Sequence, residues 1–166
     1  MKFLVIGAGM MGSAAAYDMA HQVDVHSVTL ADADLKRARE VAARINHIHG
    51  DRKVKAIALD ASDEKSAAHT MKGHDAVLSA VPYFLNLGLA KAAIEACCHF
   101  ADLGGNNTVV RQELALSAKA EKRGVAIALE GPLDTEQRKK ILEIADKCPV
   151  HRTLTSEIRI VTRAAD

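Results

Sequence analysis

The chain has 166 residues, 49% of them apolar and 26% charged, with a formal net charge of +1, an ordinary globular composition for one domain. So balanced a charge offers no footprint for nucleic acid or an anionic membrane surface. With no Trp and only 3% aromatic residues, it offers no base-stacking surface either.

No apolar run reaches the roughly 18–20 residues that cross a bilayer. The start at Met1 carries no signal-peptide pattern, and three cysteines make no disulfide framework. These features lead us to expect a cytoplasmic protein.

Residues 2–7 (KFLVIG) form a short apolar run ending at glycine, as a strand buried on both faces does. A helix follows from residue 11 to about 20, where small and apolar residues recur at helical spacing. A second strand covers 28–31, and a helix covers 35–45 with Asp34 as its N-cap. Strand three is 54–59, and Asp63 caps a short helix ending near Gly73. Strand four is 75–81, followed by a helix over 87–97, strand five over 99–103, a helix over 109–122 and strand six over 125–129.

Unbroken alternation of strand and helix with short connections implies a parallel sheet covered on both faces. Six strands in two halves fit the doubly wound order 3-2-1-4-5-6, a Rossmann-type α/β fold. Beyond it, EGPLD at 130–134 breaks the pattern. An amphipathic helix over 135–147 ends at Cys148-Pro149, and 156–163 alternates polar and apolar residues as an edge strand does. The expected organisation is a dinucleotide-binding core over 1–128 and a strand–helix–strand add-on over 129–166, together forming a single domain.

Gly7-Ala8-Gly9-Met10-Met11-Gly12 is G-x-G-x-x-G where strand one meets helix one. Gly7 permits the tight turn, Gly9 leaves room for a pyrophosphate, and Gly12 lets helix and sheet pack closely. Free N–H groups at the helix start, with their partial positive charge, face the phosphates. Asp32 lies 20 residues past Gly12, placed to accept from the adenosine ribose hydroxyls and to repel a 2′-phosphate. This favours NAD(H) over NADP(H), although Lys36 and Arg37 soften the preference. By architecture Asp60 and Ala61 lie at the adenine edge, and Ala80, Val81 and Pro82 at the nicotinamide side. The Gly104-Gly105 pair admits backbone approach to a ligand, or is a plain loop.

The runs MKFLVIGAGMMGSAAAYDMA, VTLADADLKRA, MKGHDAVLSAVPYFLNLGLAKAAIEA and HFADLGGN resemble the cofactor domain of lysine 6-dehydrogenase and saccharopine dehydrogenase-like enzymes over about 1–128. The resemblance implies NAD(P)-dependent hydride transfer at a carbon–nitrogen bond of a lysine-derived substrate. It also implies cofactor contacts from the glycine loop, Asp32 and Ala80–Pro82. In that family a substantial substrate domain follows, whereas here 38 residues follow 128, so the expectation is a cofactor module incomplete for catalysis. Those residues, ADKCPVHRTL above all, resemble the C-terminal strand–helix–strand of OsmC-like hydroperoxide reductases. Cys148 falls on that family's second redox cysteine, and a switch at a strand suggests a chimera.

Two other readings stay open. A compact amino-acid dehydrogenase would draw on His74, Tyr83, His99 and Asp102, which form no motif. A thiol peroxidase would use Cys148 with Lys147, His151 and Arg152 as thiolate-stabilising cations. His47 and His49 are two apart and the other histidines are scattered, so no metal site is expected. Adjacent Cys97 and Cys98 read as the buried end of a helix. An unpaired edge at 157–163 would admit a second copy of the chain, giving a homodimer.

Overall fold

Pairing in the sheet follows the order β3-β2-β1-β4-β5, every pair parallel. The computed structural model describes residues 1–104 and 106–126, all within the unit Met1–Leu129. Its strands are β1 Lys2–Ile6, β2 Ser27–Asp32, β3 Val54–Ala58, β4 Ala76–Ser79 and β5 His99–Asp102. Its helices are α1 Met10–His21, α2 Leu35–His49, α3 Glu64–Met71, α4 Asn86–Ala96, α5 Asn107–Leu114 and α6 Ser117–Lys122. A 3-10 turn, Tyr83–Leu85, precedes α4.

Alternation along β1 divides the core between the two faces of the sheet. Leu4 and Ile6 join Met71, Val77, Leu89 and Phe100 under α3 and α4. Val5 joins Ala16, Ala20, Leu30, Val41 and Ile45 under α1 and α2. With so few aromatic residues, close approach replaces bulk: Gly12, Ala16 and Ala20 form the buried stripe of α1, four residues apart on one face.

Local signals account for the helix ends. Asp34 accepts from the Arg37 N–H, and Asp63 accepts from the N–H groups of Lys65 and Ser66. The second helix runs one turn beyond the expected end at 45, because its stop signal is Gly50, left-handed at φ 72°.

The helix expected over 109–122 is instead two helices. Asn106 accepts from the N–H groups of Thr108 and Val109, so α5 starts at Asn107. After Leu114 the bonding tightens, with the Leu116 N–H donating to the Glu113 carbonyl at 2.9 Å and the Ser117 hydroxyl to the Leu114 carbonyl at 2.7 Å. Leu116 thereby reaches the α3–α4 core. Only half of the cysteine pair is buried: Cys98 is in the core and Cys97 is exposed, in the left-handed conformation (φ 55°) that ends α4.

The described residues contain five strands rather than six. Of the segment expected as strand six, Val125 and Ala126 belong to no strand, and 127–129 lie outside the described residues. The chain does return along the β5 edge: the Phe100 N–H donates to the Ala126 carbonyl at 2.9 Å, and the Ala126 N–H to His99 Nδ1 at 3.0 Å. The expected C-terminal helix, the edge strand at 156–163 and Cys148 lie outside the described residues, as does Gly105. Among the described residues no helix is long and apolar enough to cross a membrane.

Candidate functional site

Because the strands are parallel and β1 lies beside β4, their carboxyl ends open onto one crevice at the topological switch point. Gly7 leaves β1 there at φ +105°, and a Cβ on it would sit 2.6 Å from the Ala80 carbonyl oxygen. A Cβ on Gly12 would overlap the Gly7 carbonyl and lie 3.3 Å from the Ala80 Cβ. These two glycines are thus explained by the fold itself: loop, α1 and the end of β4 lock together through them.

Gly9 is different. A Cβ there would meet nothing within 4 Å, and its backbone, φ −72° and ψ −170°, suits any residue. As N-cap of α1 it could have been an oxygen-bearing residue like the caps of α2, α3 and α5. Its bareness leaves the N–H groups of Met10, Met11 and Gly12 without an intrahelical acceptor. Among the described residues no side chain caps them, and the first turn carries no acid to compete with an anion for the helix dipole.

Asp32, half-buried at the end of β2, is part of this loop's frame. Its Oδ2 accepts the Ala8 N–H at 2.7 Å and its Oδ1 the Asp34 N–H at 2.8 Å. Each carboxylate oxygen has about two acceptor positions, so one on each remains for a hydroxyl donor. A groove between α1 and α2 leads away from Gly9 past Ser13 and Tyr17, with Arg37 and Arg44 on its α2 side.

This geometry agrees with the sequence comparison. The profile of the saccharopine dehydrogenase NADP binding domain matches residues 3–128. The chain belongs to that family. It carries the family's NAD(P)-binding domain, and the match includes the glycine loop, Asp32 and the Ala80–Pro82 turn.

Solved structures share the fold. Saccharopine dehydrogenase (L-Glu forming) from Saccharomyces cerevisiae is 22% identical, with TM-score 0.64, covering 88% of this chain and 31% of that one. An NAD binding oxidoreductase from Klebsiella pneumoniae is 23% identical, with TM-score 0.55, covering 88% and 39%. Triphenylmethane reductase of Citrobacter sp., solved with NADP(H), is 16% identical, with TM-score 0.54, covering 74% and 46%. The chain spans less than half the length of each.

Around the crevice of this saccharopine dehydrogenase-type domain, Ala80 and Val81 pack on the glycine turn, while Pro82 is exposed and starts the 3-10 turn. That turn is held by a buried pair that sequence reading missed: the Ser79 hydroxyl donates to Asn86 Oδ1 at 2.7 Å, and both residues are at most 2% exposed. The available signal was a serine closing the apolar strand AVLS, followed by an asparagine at the start of the next helix.

Asp60 and Ala61 follow β3 on the same side of the sheet. Both Ser62 donors, the hydroxyl at 2.7 Å and the N–H at 2.9 Å, reach Asp60 Oδ1. They hold its carboxyl below the ordinary carboxylate range.

The four residues considered for catalysis do not converge. Tyr83 and Asp102 follow or close their strands at the carboxyl end. His74 precedes β4 and His99 opens β5, at the opposite end, roughly 10 Å away along a four-residue strand. His74 is engaged there with the Thr29 hydroxyl at 2.9 Å. On the β5 edge, an apolar hollow is lined by Phe100, Val110, Leu114 and Ala126, with Asp102 and Glu113 beside them. Glu113 is 6% exposed. Burial, then the Asp102 charge and a hydrogen bond with Asp102, push its carboxyl up to about 7.

Proposed function

We propose that this chain holds NAD(H), with NADP(H) as the weaker ligand, by the diphosphate at the start of α1. We read it as the cofactor-binding part of an oxidoreductase acting on a carbon–nitrogen bond of a lysine-derived substrate. The observation that carries the reading is Gly9: neither packing nor backbone conformation accounts for a glycine there, whereas a ligand seated against the helix start does. The fit extends to the neighbouring groups. The N–H groups of Met10, Met11 and Gly12, uncapped among the described residues, suit an anion, and Asp32 has acceptor positions left for ribose hydroxyls and a charge that opposes a 2′-phosphate.

The nicotinamide, when bound, supplies the hydride chemistry. The chain's own residues bind and orient. The glycine loop fixes the diphosphate, Asp32 fixes the loop by holding the Ala8 N–H, and the Ser79–Asn86 pair steadies the Ala80–Pro82 turn on the nicotinamide side. Asp60 and Ala61 border the adenine. Among the described residues no acid, base and nucleophile meet at one point, which favours a binding module over the compact dehydrogenase. The family match covers residues 3–128, and we read 129–163 as an add-on resembling the OsmC-like segment.

Titration of the full chain with NADH by calorimetry tests the proposal. We expect saturable binding at one per chain, and an absence of saturation at millimolar NADH overturns it. Lysine- or saccharopine-dependent NADH production by the chain alone would overturn the incomplete-module reading in favour of the compact dehydrogenase.

A further inference from the structure

His21 closes α1 and His49 closes α2. Although 28 residues apart, they face each other with their Nδ1 atoms 3.3 Å apart and ring centroids at 5.1 Å. A carbonyl oxygen only accepts, so the contact of His49 Nε2 with the Tyr17 carbonyl at 3.2 Å puts the His49 proton on Nε2 and leaves its Nδ1 lone pair pointing at His21. The Tyr17 ring packs on His49 with centroids 4.7 Å apart, adding a second restraint on that imidazole.

From this geometry we infer that His21 and His49 form a two-histidine site for Zn2+ or a similar divalent transition metal, clamping the last turn of α1 to the last turn of α2. Two imidazole nitrogens bound at about 2.0–2.1 Å with a tetrahedral angle between them are separated by about 3.3–3.4 Å, so the observed separation already matches a shared ion. The proton fixed on His49 Nε2 by a backbone carbonyl is the outer-shell arrangement that orients and strengthens metal-binding imidazoles. His21 needs only to move its proton to Nε2. His21 is exposed and His49 half-buried, so water can complete the coordination. Both helix carboxyl ends favour a cation. Lys53 turns its ammonium to the Ala20 and Gln22 carbonyls at 3.1 and 3.3 Å, and it lies 3.9 Å from Asp51. The glycine loop is at the other end of α1, so the clamp is a separate site.

The test uses Zn2+ alone on the full chain. Calorimetry gives the affinity, 15N spectra of the histidine side chains give the ligating atoms, and melts give the fold. In the parent we expect one Zn2+ that shifts the Nδ1 signals of His21 and His49 and raises the melting temperature. His21→Gln and His49→Gln should each weaken that binding at least tenfold while melting cooperatively without metal, and His47→Gln should bind as the parent does. Absence of saturation at millimolar Zn2+, or equal binding by the parent and His21→Gln, as cysteine ligation would give, overturns the inference.

Discussion

Replacing Gly9 by Ala separates the site from the fold. In the free protein the new methyl meets nothing within 4 Å and the backbone at φ −72° accepts it, so the only folding cost is the poorer N-cap, about 1 kcal/mol or less. For a chain of this size that lowers the melting temperature by about 2–4 °C at most. The same methyl stands where a diphosphate must approach the α1 amides. Losing one hydrogen bond to a charged ligand, worth roughly 1.5–3 kcal/mol, weakens NADH binding by about tenfold to 150-fold. Gly12→Ala is the contrast. Its methyl overlaps the Gly7 carbonyl, so α1 must retreat from the loop at about 1–3 kcal/mol, offsetting any gain in helix propensity, and both melting and binding suffer. Calorimetric titration with NADH and thermal melts of the parent and the two variants decide it. If Gly9→Ala binds NADH within twofold of the parent, the account of the glycine loop is refuted.

Asp32→Asn keeps one oxygen where two N–H groups now find acceptors, so it should cost about 1–2 kcal/mol in a melt and narrow the NADH-to-NADPH affinity ratio. An unchanged ratio would remove Asp32 from cofactor discrimination. Cys97→Gly should raise the melting temperature by about 2–4 °C, because relieving an L-residue at φ 55° recovers about 1 kcal/mol; no rise would mean Cys97 is unstrained. Glu113, ionising at about 7 when folded, should retain its proton in the native state after the unfolded chain has lost it. Its contribution is therefore fully present below the unfolded value near 4.5 and declines as pH rises towards 7. Melts across that window should show the decline in the parent and a flatter profile in Glu113→Gln; parallel profiles would refute the assignment.

Periodicity and punctuation made most of the sheet legible. KFLVI, SVTLAD and VKAIA are apolar enough for buried parallel strands, and Asp34 and Asp63 announce their helices as caps. What the sequence hid was mostly tertiary. Asn106, acting as a cap, begins α5 before the apolar pattern suggests. Leu116 belongs to the core although it sits between two helices, so a continuous helical pattern concealed the break. The glycine motif could be read at once, but its glycines could not be told apart without neighbours: only the positions of Ala80 and the Gly7 carbonyl show which glycines serve packing and which leaves space. The His21–His49 pair was invisible for a similar reason, since spacing rules look along one helix and this contact joins two.

The parallel sheet also explains why binding is easier to assign here than chemistry. All five strands deliver their carboxyl ends to one side, so the glycine loop, Asp32, Asp60, the Ala80–Pro82 turn and Asp102 arrive together whatever their separation in sequence. Groups that open strands, His74 and His99, are carried to the other side by the same rule and drop out as partners for a ligand at Gly9. Backbone amides and one carboxylate suffice to hold a diphosphate and a ribose. Acid–base chemistry asks for side chains converging within hydrogen-bond reach of a single atom. On the carboxyl side of the described sheet, the titratable groups nearest the switch point are spread over β2, β3, the turn after β4 and β5. Asp32 and Asp60 there already accept protein donors, which suits them to framing a bound molecule rather than to moving its protons.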